Sequence, residues 1–265
     1  MKAALHAFPK RTYTACVRWF VRTRLSRRAI PWFVRHYKVD LDDLSCALSE
    51  FACLGDFFAR SLKTGARPIE EGVISPVDGC VSEIGRLSDK QLLQVKGRPY
   101  SLVDLLQDEE SAANFVDGQY ATIYLSPKDY HRVHAPLDCV PECLVHVPGT
   151  LFPVNALSVA HIDQLFVKNE RTITYFQSPI GRFALVMVGA AGVRTICLHY
   201  AEADGHRRGS LRLGATTCFQ QGDELGYFAL GSTVIVLFPA DARVEWTVQF
   251  GDCVRMGQTI GLCQR

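Results

Sequence analysis

Short apolar runs separated by glycine, proline and aspartate turns fill most of the chain, and this spacing is typical of a β-rich protein. The pattern starts near residue 66 and continues to residue 265. SLVDLLQDE has helical spacing instead, and we predict a helix there with Ser101 as its N-cap. Near the end, FGDCVRMGQTIG places Gly251 and Gly257 around a hairpin-like run, a pattern typical of the turns of barrel-sandwich domains. The predicted strands are YATIYLS, LVHVPG, RTITYFQS, RFALVMVGA, VRTICLHY, STVIVLF and RVEWTVQF.

The first 65 residues differ from this body. Residues 11 to 60 are predicted to be helical, and Pro31 should end one helix or begin the next. The stretch TACVRWFVRTRLSRRAIPWFVRHYKVD mixes large aromatic residues with arginines, as helices lying at a membrane surface do. A solvated basic helix and a nucleic-acid-binding surface are the alternatives. We therefore expect two regions, 1–65 and 66–265, of which the first associates with membranes.

Charge supports this division. The net charge is only +2, but residues 1 to 39 hold ten Lys and Arg and no Asp or Glu. The other 226 residues then hold 19 basic and 27 acidic residues, a net charge of −8. A basic segment on an acidic body indicates an anionic partner for that segment.

Composition narrows the class of protein further. With 48% hydrophobic residues the chain is expected to be globular. No apolar run reaches the ~18 residues of a membrane-spanning helix, and we recognise no secretory leader. The ten cysteines include no CxxC pair, so we expect reduced thiols in a cytosolic setting.

Three polar clusters interrupt the apolar runs of the body. They are SPVDG with Asp78, SPKDYHRVHAP with His131 and His134, and Gly231-Ser232-Thr233 at the start of a predicted core strand. The two histidines share a face if the segment is helical and point to opposite sides if it is extended. Asp, His and Ser are the residue types of an activated hydroxyl, in which the carboxylate orients the imidazole and the imidazole takes the hydroxyl proton.

The same residues allow other chemistries. Ser232 lacks the G-x-S-x-G elbow, which disfavours an α/β-hydrolase. Zinc is an alternative, with His131, His134 and Asp78 as one ligand set and Cys139, Cys143 and His146 as another. Neither set has the HExxH spacing of a zinc peptidase helix.

At these clusters the sequence resembles the phosphatidylserine decarboxylases, in particular the bacterial membrane-associated type, which is pyruvoyl-dependent and carries an LGST motif. The similarity covers residues 30 to 265 and is weaker between residues 193 and 222. It implies an α+β, β-rich fold, with a barrel-sandwich-like β body and an N-terminal helical membrane-associating segment. The matching segments, in order, are FFARSLKTGARPI, SPVDG, VKGRPYSLVDLL, YLSPKDYHRVHAP, VPGTLFPVN, LFVKNERT, VGAAGV and ELGYFALGSTVIVLF.

The resemblance implies a self-cleaving enzyme whose catalytic β-rich domain spans residues 66 to 265. The chain would be cut between Gly231 and Ser232 into a large β chain and a small α chain, and Ser232 would become the pyruvoyl cofactor. By the same resemblance, His134 is the base of that cleavage, Asp78 holds its tautomer, and His131 contacts the substrate. The pyruvoyl group would form a Schiff base with phosphatidylserine and release CO2 and phosphatidylethanolamine, and no metal is expected.

The resemblance also implies the partners and the location. The two cleavage chains would form a heterodimer, with further dimerisation allowed, on the cytoplasmic face of the cell membrane. Anionic phospholipid would attract the basic segment, and no nucleic acid is expected. Two other classes stay open at this point: a degenerate relative that binds lipid without processing, and a zinc-dependent peptidase with a similar barrel.

Overall fold

A computed structural model describes residues 10–88, 91–94, 98–190, 196–201, 209–213, 217–229 and 232–264. The longer helices lie in the first 60 residues, before the strands begin. Pro31 lies in the first turn of its helix, where its missing N–H costs nothing. The helices are α1 Lys10–Val21, α2 Ile30–Tyr37, α3 Leu54–Phe58, α4 Leu102–Leu106, α5 Glu109–Ala113, α6 Ala156–His161 and α7 Leu165–Lys168, and 3-10 turns span Arg24–Ala29, Leu48–Glu50 and Ala240–Ala242.

Strands form most of the body. The sequence alternation of apolar runs and turns is reproduced by sixteen strands among the described residues. They are β1 Val73–Ile74, β2 Gly79–Arg86, β3 Gln91–Gln94, β4 Arg98–Ser101, β5 Gln119–Leu125, β6 Arg132–His134, β7 Val140–Val147, β8 Arg171–Ser178, β9 Gly181–Gly189, β10 Ile196–Leu198, β11 Gly209–Arg212, β12 Glu224–Phe228, β13 Ser232–Phe238, β14 Val244–Trp246, β15 Cys253–Val254 and β16 Thr259–Cys263.

An eight-stranded sheet is the centre of the body, in the order β11-β7-β8-β9-β13-β5-β2-β15. Two three-stranded sheets, β1-β16-β14 and β10-β12-β6, and the hairpin β3-β4 accompany it. Strand β13 pairs antiparallel with β5 on one edge and β9 on the other, and all seven of its residues are buried. Such a fully buried strand explains the unbroken apolar run STVIVLF, because both of its faces must be covered.

The two faces of β13 pack into different cores. Ile235 and Leu237 join a cluster that contains residues of the helices α4 to α7. Val234, Val236 and Phe238 join a second cluster that contains residues of the two small sheets. The large sheet is thus covered by helices on one side and by the small sheets on the other, so β13 lies at the middle of both cores.

The N-terminal helices form a third apolar cluster beside the body. Its members include Ile30, Phe33, Phe57 and Phe58. Arg132 of β6 donates two hydrogen bonds to the carbonyl oxygen of Ala59. This contact fixes the helical cluster against the strand that carries His134.

Several predictions are confirmed and others are not. Strands β8 and β13 have the predicted bounds, and Ser101 caps α4 by accepting a hydrogen bond from Asp104 N–H. The fold is β-rich with a few helices, as an α+β class requires, but its sheets are open and do not confirm the barrel-sandwich arrangement. In RVEWTVQF only Val244–Trp246 is strand.

The hairpin expected in FGDCVRMGQTIG is wrong. Gly251 and Gly257 do turn the chain with positive φ. However, β15 pairs with β2 while β16 pairs with β1 and β14, so the two runs belong to different sheets. The turns therefore separate strands of two different sheets and do not join the arms of one hairpin.

Within the described residues, no helix has both the length and the apolar character needed to cross a bilayer. The division into 1–65 and 66–265, and the membrane association of the first region, stay predictions. Gly231 lies outside the described residues, as does part of the divergent segment 193–222.

Candidate active site

Backbone hydrogen bonds bring the three polar clusters together. The N–H of His134 donates to the carbonyl oxygen of Pro76 at 2.9 Å, which joins SPVDG to YHRVHAP. The N–H of Phe228 donates to the carbonyl oxygen of His131 at 3.0 Å, just before the Gly-Ser-Thr segment. Ser232 in turn pairs with Leu125, directly before SPKDYHRVHAP. Segments distant in the sequence are therefore neighbours in one part of the fold.

Ser232 is the first residue of the central strand β13. It is fully buried, and its Oγ finds no hydrogen-bond partner among the described residues. The Oγ1 of Thr233 is buried and unpartnered in the same way. An unsatisfied buried hydroxyl costs about 1–3 kcal/mol, so such a group in a native protein calls for an explanation. A reactive hydroxyl that must stay free of competing hydrogen bonds is one.

His134 has a defined tautomer. Its Nδ1 lies 2.8 Å from the carbonyl oxygen of Gly222, and a carbonyl only accepts, so Nδ1 carries the proton. Its Nε2 lies 3.1 Å from the hydroxyl of Tyr130, which donates to it. Burial lowers the pKa of His134, so the ring is neutral at neutral pH. Nε2 therefore carries the lone pair that a general base requires, and in this conformation the Tyr130 hydroxyl occupies it.

The role expected for Asp78 is corrected by these contacts. Asp78 does not hold the tautomer of His134, because that hydrogen bond goes to Gly222. Instead the carboxylate accepts two hydrogen bonds from Arg67, at 3.0 and 2.6 Å, and a third from the N–H of Met256 at 2.8 Å. A charged guanidinium pairs better with a buried carboxylate than a neutral imidazole does.

Arg67 connects Asp78 to the N-terminal region. Its Nη1 lies 2.7 Å from the carboxylate of Asp43. Burial alone lowers the pKa of Arg67, but its two carboxylate partners outweigh burial and raise it. The ion pair therefore holds three distant stretches of the chain together: Asp43, the SPVDG turn and Met256.

Close packing of the backbone explains why the last residue of SPVDG is a glycine. A Cβ on Gly79 would lie 2.5 Å from the carbonyl oxygen of Tyr124. Strands β2 and β5 approach too closely there for any side chain. The close approach fixes the position of Asp78 beside the strand that neighbours β13.

His131 is fully buried just before β6. The segment is extended, which settles the alternatives left open for the two histidines. Its Nδ1 donates to the carbonyl oxygen of Asp129 at 2.8 Å, while its Nε2 has no partner among the described residues. Burial, together with the nearby charge of Arg60, lowers the pKa of His131 to about 3. The ring is a neutral acceptor that packs on Phe58, with ring centroids 4.1 Å apart.

Arg60 is a buried cation close to this ring. Its Nη2 donates to the carbonyl oxygens of Lys128 and Asp129, at 2.6 and 2.9 Å. Its Nη1 is buried and has no partner among the described residues. Burial lowers the pKa of Arg60 to about 10, so it is still charged at neutral pH. Within the described residues, Nη1 of Arg60 and Nε2 of His131 thus have no hydrogen-bond partner, and the guanidinium places a positive charge beside them.

Neither candidate zinc ligand set is assembled among the described residues. In the part of the chain that the structure describes, no three His, Cys, Asp or Glu side chains are grouped as metal ligands. His131 and His134 each commit their Nδ1 to a backbone carbonyl instead.

Sequence reasoning missed four contributors to this site: Arg60, Arg67, Tyr130 and the carbonyl of Gly222. Both arginines lie in the stretch FFARSLKTGARPI, whose sequence pattern assigns a role to neither. An arginine in a polar loop looks solvated, and only the fold shows that these two are buried. The Gly222 carbonyl carries no side-chain signal at all.

Comparison with known proteins gives one family. Residues 54–262 match the family model described as phosphatidylserine decarboxylase. Curated relatives called phosphatidylserine decarboxylase proenzyme are similar over nearly the whole chain. The relative from Psychrobacter cryohalolentis is 39% identical over 91% of this chain and 92% of its own length. Those from Brevibacillus brevis and Legionella pneumophila are 37% and 39% identical, each over 97% of this chain and 95% of their own length.

Replacing Arg67 should destabilise the protein strongly. Arg67→Met leaves the buried carboxylate of Asp78 without its cation, which costs about 3–5 kcal/mol in the free energy of unfolding. Unfolding in urea measures this loss in the free energy of unfolding. Arg86→Met is the matched control, because Arg86 and Asp117 are both exposed and 3.6 Å apart, and exposed pairs are worth about 0–1 kcal/mol.

A second variant tests whether the charge is the cause. In Arg67→Met combined with Asp78→Asn the uncompensated charge is gone, and much of the lost stability should return. If Arg67→Met unfolds at the same urea concentration as the parent protein, the ion pair does not hold these segments together.

Proposed function

Because the chain belongs to the phosphatidylserine decarboxylase family, we propose that it is a carboxy-lyase that cuts itself at Gly231-Ser232 and converts phosphatidylserine to phosphatidylethanolamine and CO2. The observation that carries the proposal is the hydroxyl of Ser232: it is buried, has no hydrogen-bond partner among the described residues, and begins the central strand. Other buried strand hydroxyls, such as those of Thr122 and Thr172, also lack a partner among the described residues, but Ser232 alone among them begins the strand at the predicted cut. The proenzyme names of the relatives agree with a chain that matures by processing.

The self-cleavage begins with proton transfer to His134. Its Nε2 takes the proton of the Ser232 hydroxyl as Oγ attacks the carbonyl carbon of Gly231, and returns the proton to the departing amide nitrogen. The C–N bond breaks, and an ester joins Gly231 to Ser232 Oγ. The neutral, buried His134 with its Nδ1–H fixed by Gly222 suits this role.

The ester then eliminates. A base removes the α proton of Ser232, the Cβ–Oγ bond breaks, and the carboxylate of Gly231 leaves with both oxygens. The remaining enamine takes up one water and loses ammonia, so that residue 232 becomes a pyruvoyl group. Its ketone supplies an electrophile for the substrate amine and an electron sink while CO2 leaves.

Asp78 acts in this scheme as a positioning residue. It does not touch His134 by a hydrogen bond, but its ion pair with Arg67 and its bond to Met256 hold the SPVDG turn. Pro76 of that turn accepts the backbone N–H of His134. Asp78 therefore places the base through the backbone rather than through the ring.

His131 and Arg60 would bind the negative part of the substrate. Both the carboxylate and the phosphodiester of phosphatidylserine are oxyanions, and the free Nη1–H of Arg60 is a charged donor for either. The Nε2 of His131 would take a proton from the ammonium group of the same headgroup, which frees the amine for attack and makes Nε2–H a second donor to the oxyanion, and the negative charge of the bound headgroup would favour the protonated ring. Their burial makes each hydrogen bond to an oxyanion stronger than it would be in water.

The N-terminal helices would attach the enzyme to the cytoplasmic surface of an anionic membrane. Trp19, Leu25 and Trp32 are exposed by 72%, 61% and 56% on helices α1 and α2 and the turn between them. Arginines 22, 24, 27, 28 and 35 lie on the same segment. Large aromatic side chains with neighbouring arginines suit the headgroup region of a bilayer. Phe33, Phe57 and Phe58 link this surface to His131.

Variants of the cleavage residues test the processing step. Ser232→Ala should stay uncut, because no hydroxyl attacks, and His134→Ala should accumulate precursor. Tyr130→Phe keeps the ring but removes the donor to Nε2, so it should still be cut. Denaturing gels over a time course measure the fraction of cut chain. Cleavage of His134→Ala at the parent rate would contradict the assignment of the base.

A substitution at the oxyanion site should separate processing from turnover. We expect His131→Ala to be cut normally, with kcat/KM for phosphatidylserine lowered roughly 10- to 100-fold, since a hydrogen bond to a charged group is worth about 1.5–3 kcal/mol. His199→Ala, an exposed histidine, is the control. Arg60→Lys should show a smaller loss of kcat/KM than Arg60→Met. Parent-like turnover in His131→Ala would exclude it from substrate binding.

Binding to phospholipid vesicles tests the proposed membrane contact of the N-terminal helices. Trp19→Ala combined with Trp32→Ala should weaken binding to vesicles that contain phosphatidylserine at least about tenfold, since burying one large apolar side chain contributes about 1.5–3 kcal/mol. Phe250→Ala, which removes an aromatic ring exposed by 62% on the body, should leave binding unchanged. Vesicle sedimentation at two salt concentrations measures both. Equal binding of parent and double variant would place the contact elsewhere.

A further inference from the structure

Two thiols face each other across the edge of the large sheet. Cys80 is in β2 and Cys253 is in β15, and the antiparallel register places them directly opposite. Their sulfur atoms are 2.8 Å apart. Of the cysteines in the described part of the chain, all are free, and this is the one pair with its sulfurs in contact.

The strand register favours a bond between them. The ladder bonds beside the pair are made by Val81, whose N–H donates to Asp252 and whose carbonyl accepts from Gly251. The next position along the ladder, that of Cys80 and Cys253, is then a non-hydrogen-bonded pair. Side chains at such positions are closer than at hydrogen-bonded ones, as the short span of a disulfide requires.

The pair also spans the proposed cut. Cys80 precedes Ser232 and Cys253 follows it, so the two thiols belong to different fragments after processing. We propose that Cys80 and Cys253 are a reversible oxidation site, at which exchange with a small-molecule disulfide such as oxidised glutathione joins the large and small fragments covalently. That the bond links two separate chains rests on the proposed self-cleavage; that the two thiols pair does not.

The disulfide forms by thiol–disulfide exchange in two steps. The thiolate of Cys253 attacks one sulfur of the external disulfide, forms a mixed disulfide and releases one thiol. The thiolate of Cys80 then attacks the sulfur of Cys253 and releases the second thiol. The two protein thiols lose two electrons and two protons, and the external disulfide gains both.

Exposure sets the order of these steps. Cys253 is exposed, whereas Cys80 is half-buried. Burial, with the neighbouring thiol, raises the pKa of Cys80 to about 11. Cys253 is therefore the thiol that meets the external disulfide, and Cys80 completes the bond once its neighbour is activated.

The disulfide would lie next to Asp78 of the candidate active site. Val254 pairs with Gly79, next to Asp78, and Met256 donates its N–H to that carboxylate. Strand β15 is a short edge strand, so it is held to β2 by few hydrogen bonds. A disulfide there would hold the small fragment, and with it Met256, against the SPVDG turn even when the few hydrogen bonds of β15 break.

Denaturing gels without reductant test the proposal on the full-length protein. The protein is incubated with oxidised glutathione, alkylated and run with and without dithiothreitol. We expect one band of full-length mass without reductant and two bands with it. Cys253→Ser should give two bands in both lanes. Cys263→Ser, which removes another cysteine of the small fragment, should behave as the parent does.

The outcomes separate this proposal from self-cleavage. Two bands without reductant, or a linked band that persists in Cys253→Ser, would overturn the disulfide. A single band in both lanes means that the chain is uncut, which contradicts the proposed processing instead. In that case a proteolytic digest decides: a reducible peptide pair containing Cys80 and Cys253 supports the disulfide, and its absence overturns it.

Discussion

The pairing of β13 on both edges is the constraint on which the rest of the structure depends. Ser232–Phe238 is held by β5 and β9 and is buried over its whole length. A chain cut immediately before such a strand keeps its new end in place, because thirteen register positions and two cores still hold it. The proposed cleavage after residue 231 would therefore alter one covalent link without releasing the small fragment, and residue 232 would stay inside the site.

Burial gives the same site its chemistry. Removal of water keeps His131 and His134 neutral, so both present nitrogen lone pairs at neutral pH. The buried charges have partners that stabilise them. Asp78 pairs with Arg67, and Arg60 contacts backbone carbonyls and the ring of Phe57. Two neutral imidazoles and a buried guanidinium thus lie in the same water-excluded part of the protein. This arrangement suits proton transfer and the binding of an anionic headgroup.

Sequence patterns predicted what depends on local chemistry. The apolar run STVIVLF and the N-cap Ser101 follow from periodicity and capping, and the three polar clusters followed from their contrast with apolar surroundings. The partner of Asp78 was predicted wrongly, because Arg67 and His134 are equally plausible until the fold places one beside it. The pairing of β15 with β2 was missed for the same reason: long-range register depends on which apolar faces meet, not on the turn between two runs.

The central claim is that one peptide bond is converted into a new carbonyl end. Intact-mass measurement of the reduced, denatured native protein tests it most directly. Two species should replace the 29.5 kDa chain, residues 1–231 and residues 232–265, and the second should be lighter than a serine-ended fragment by one ammonia. A single uncut chain in a sample that releases CO2 from phosphatidylserine would contradict it.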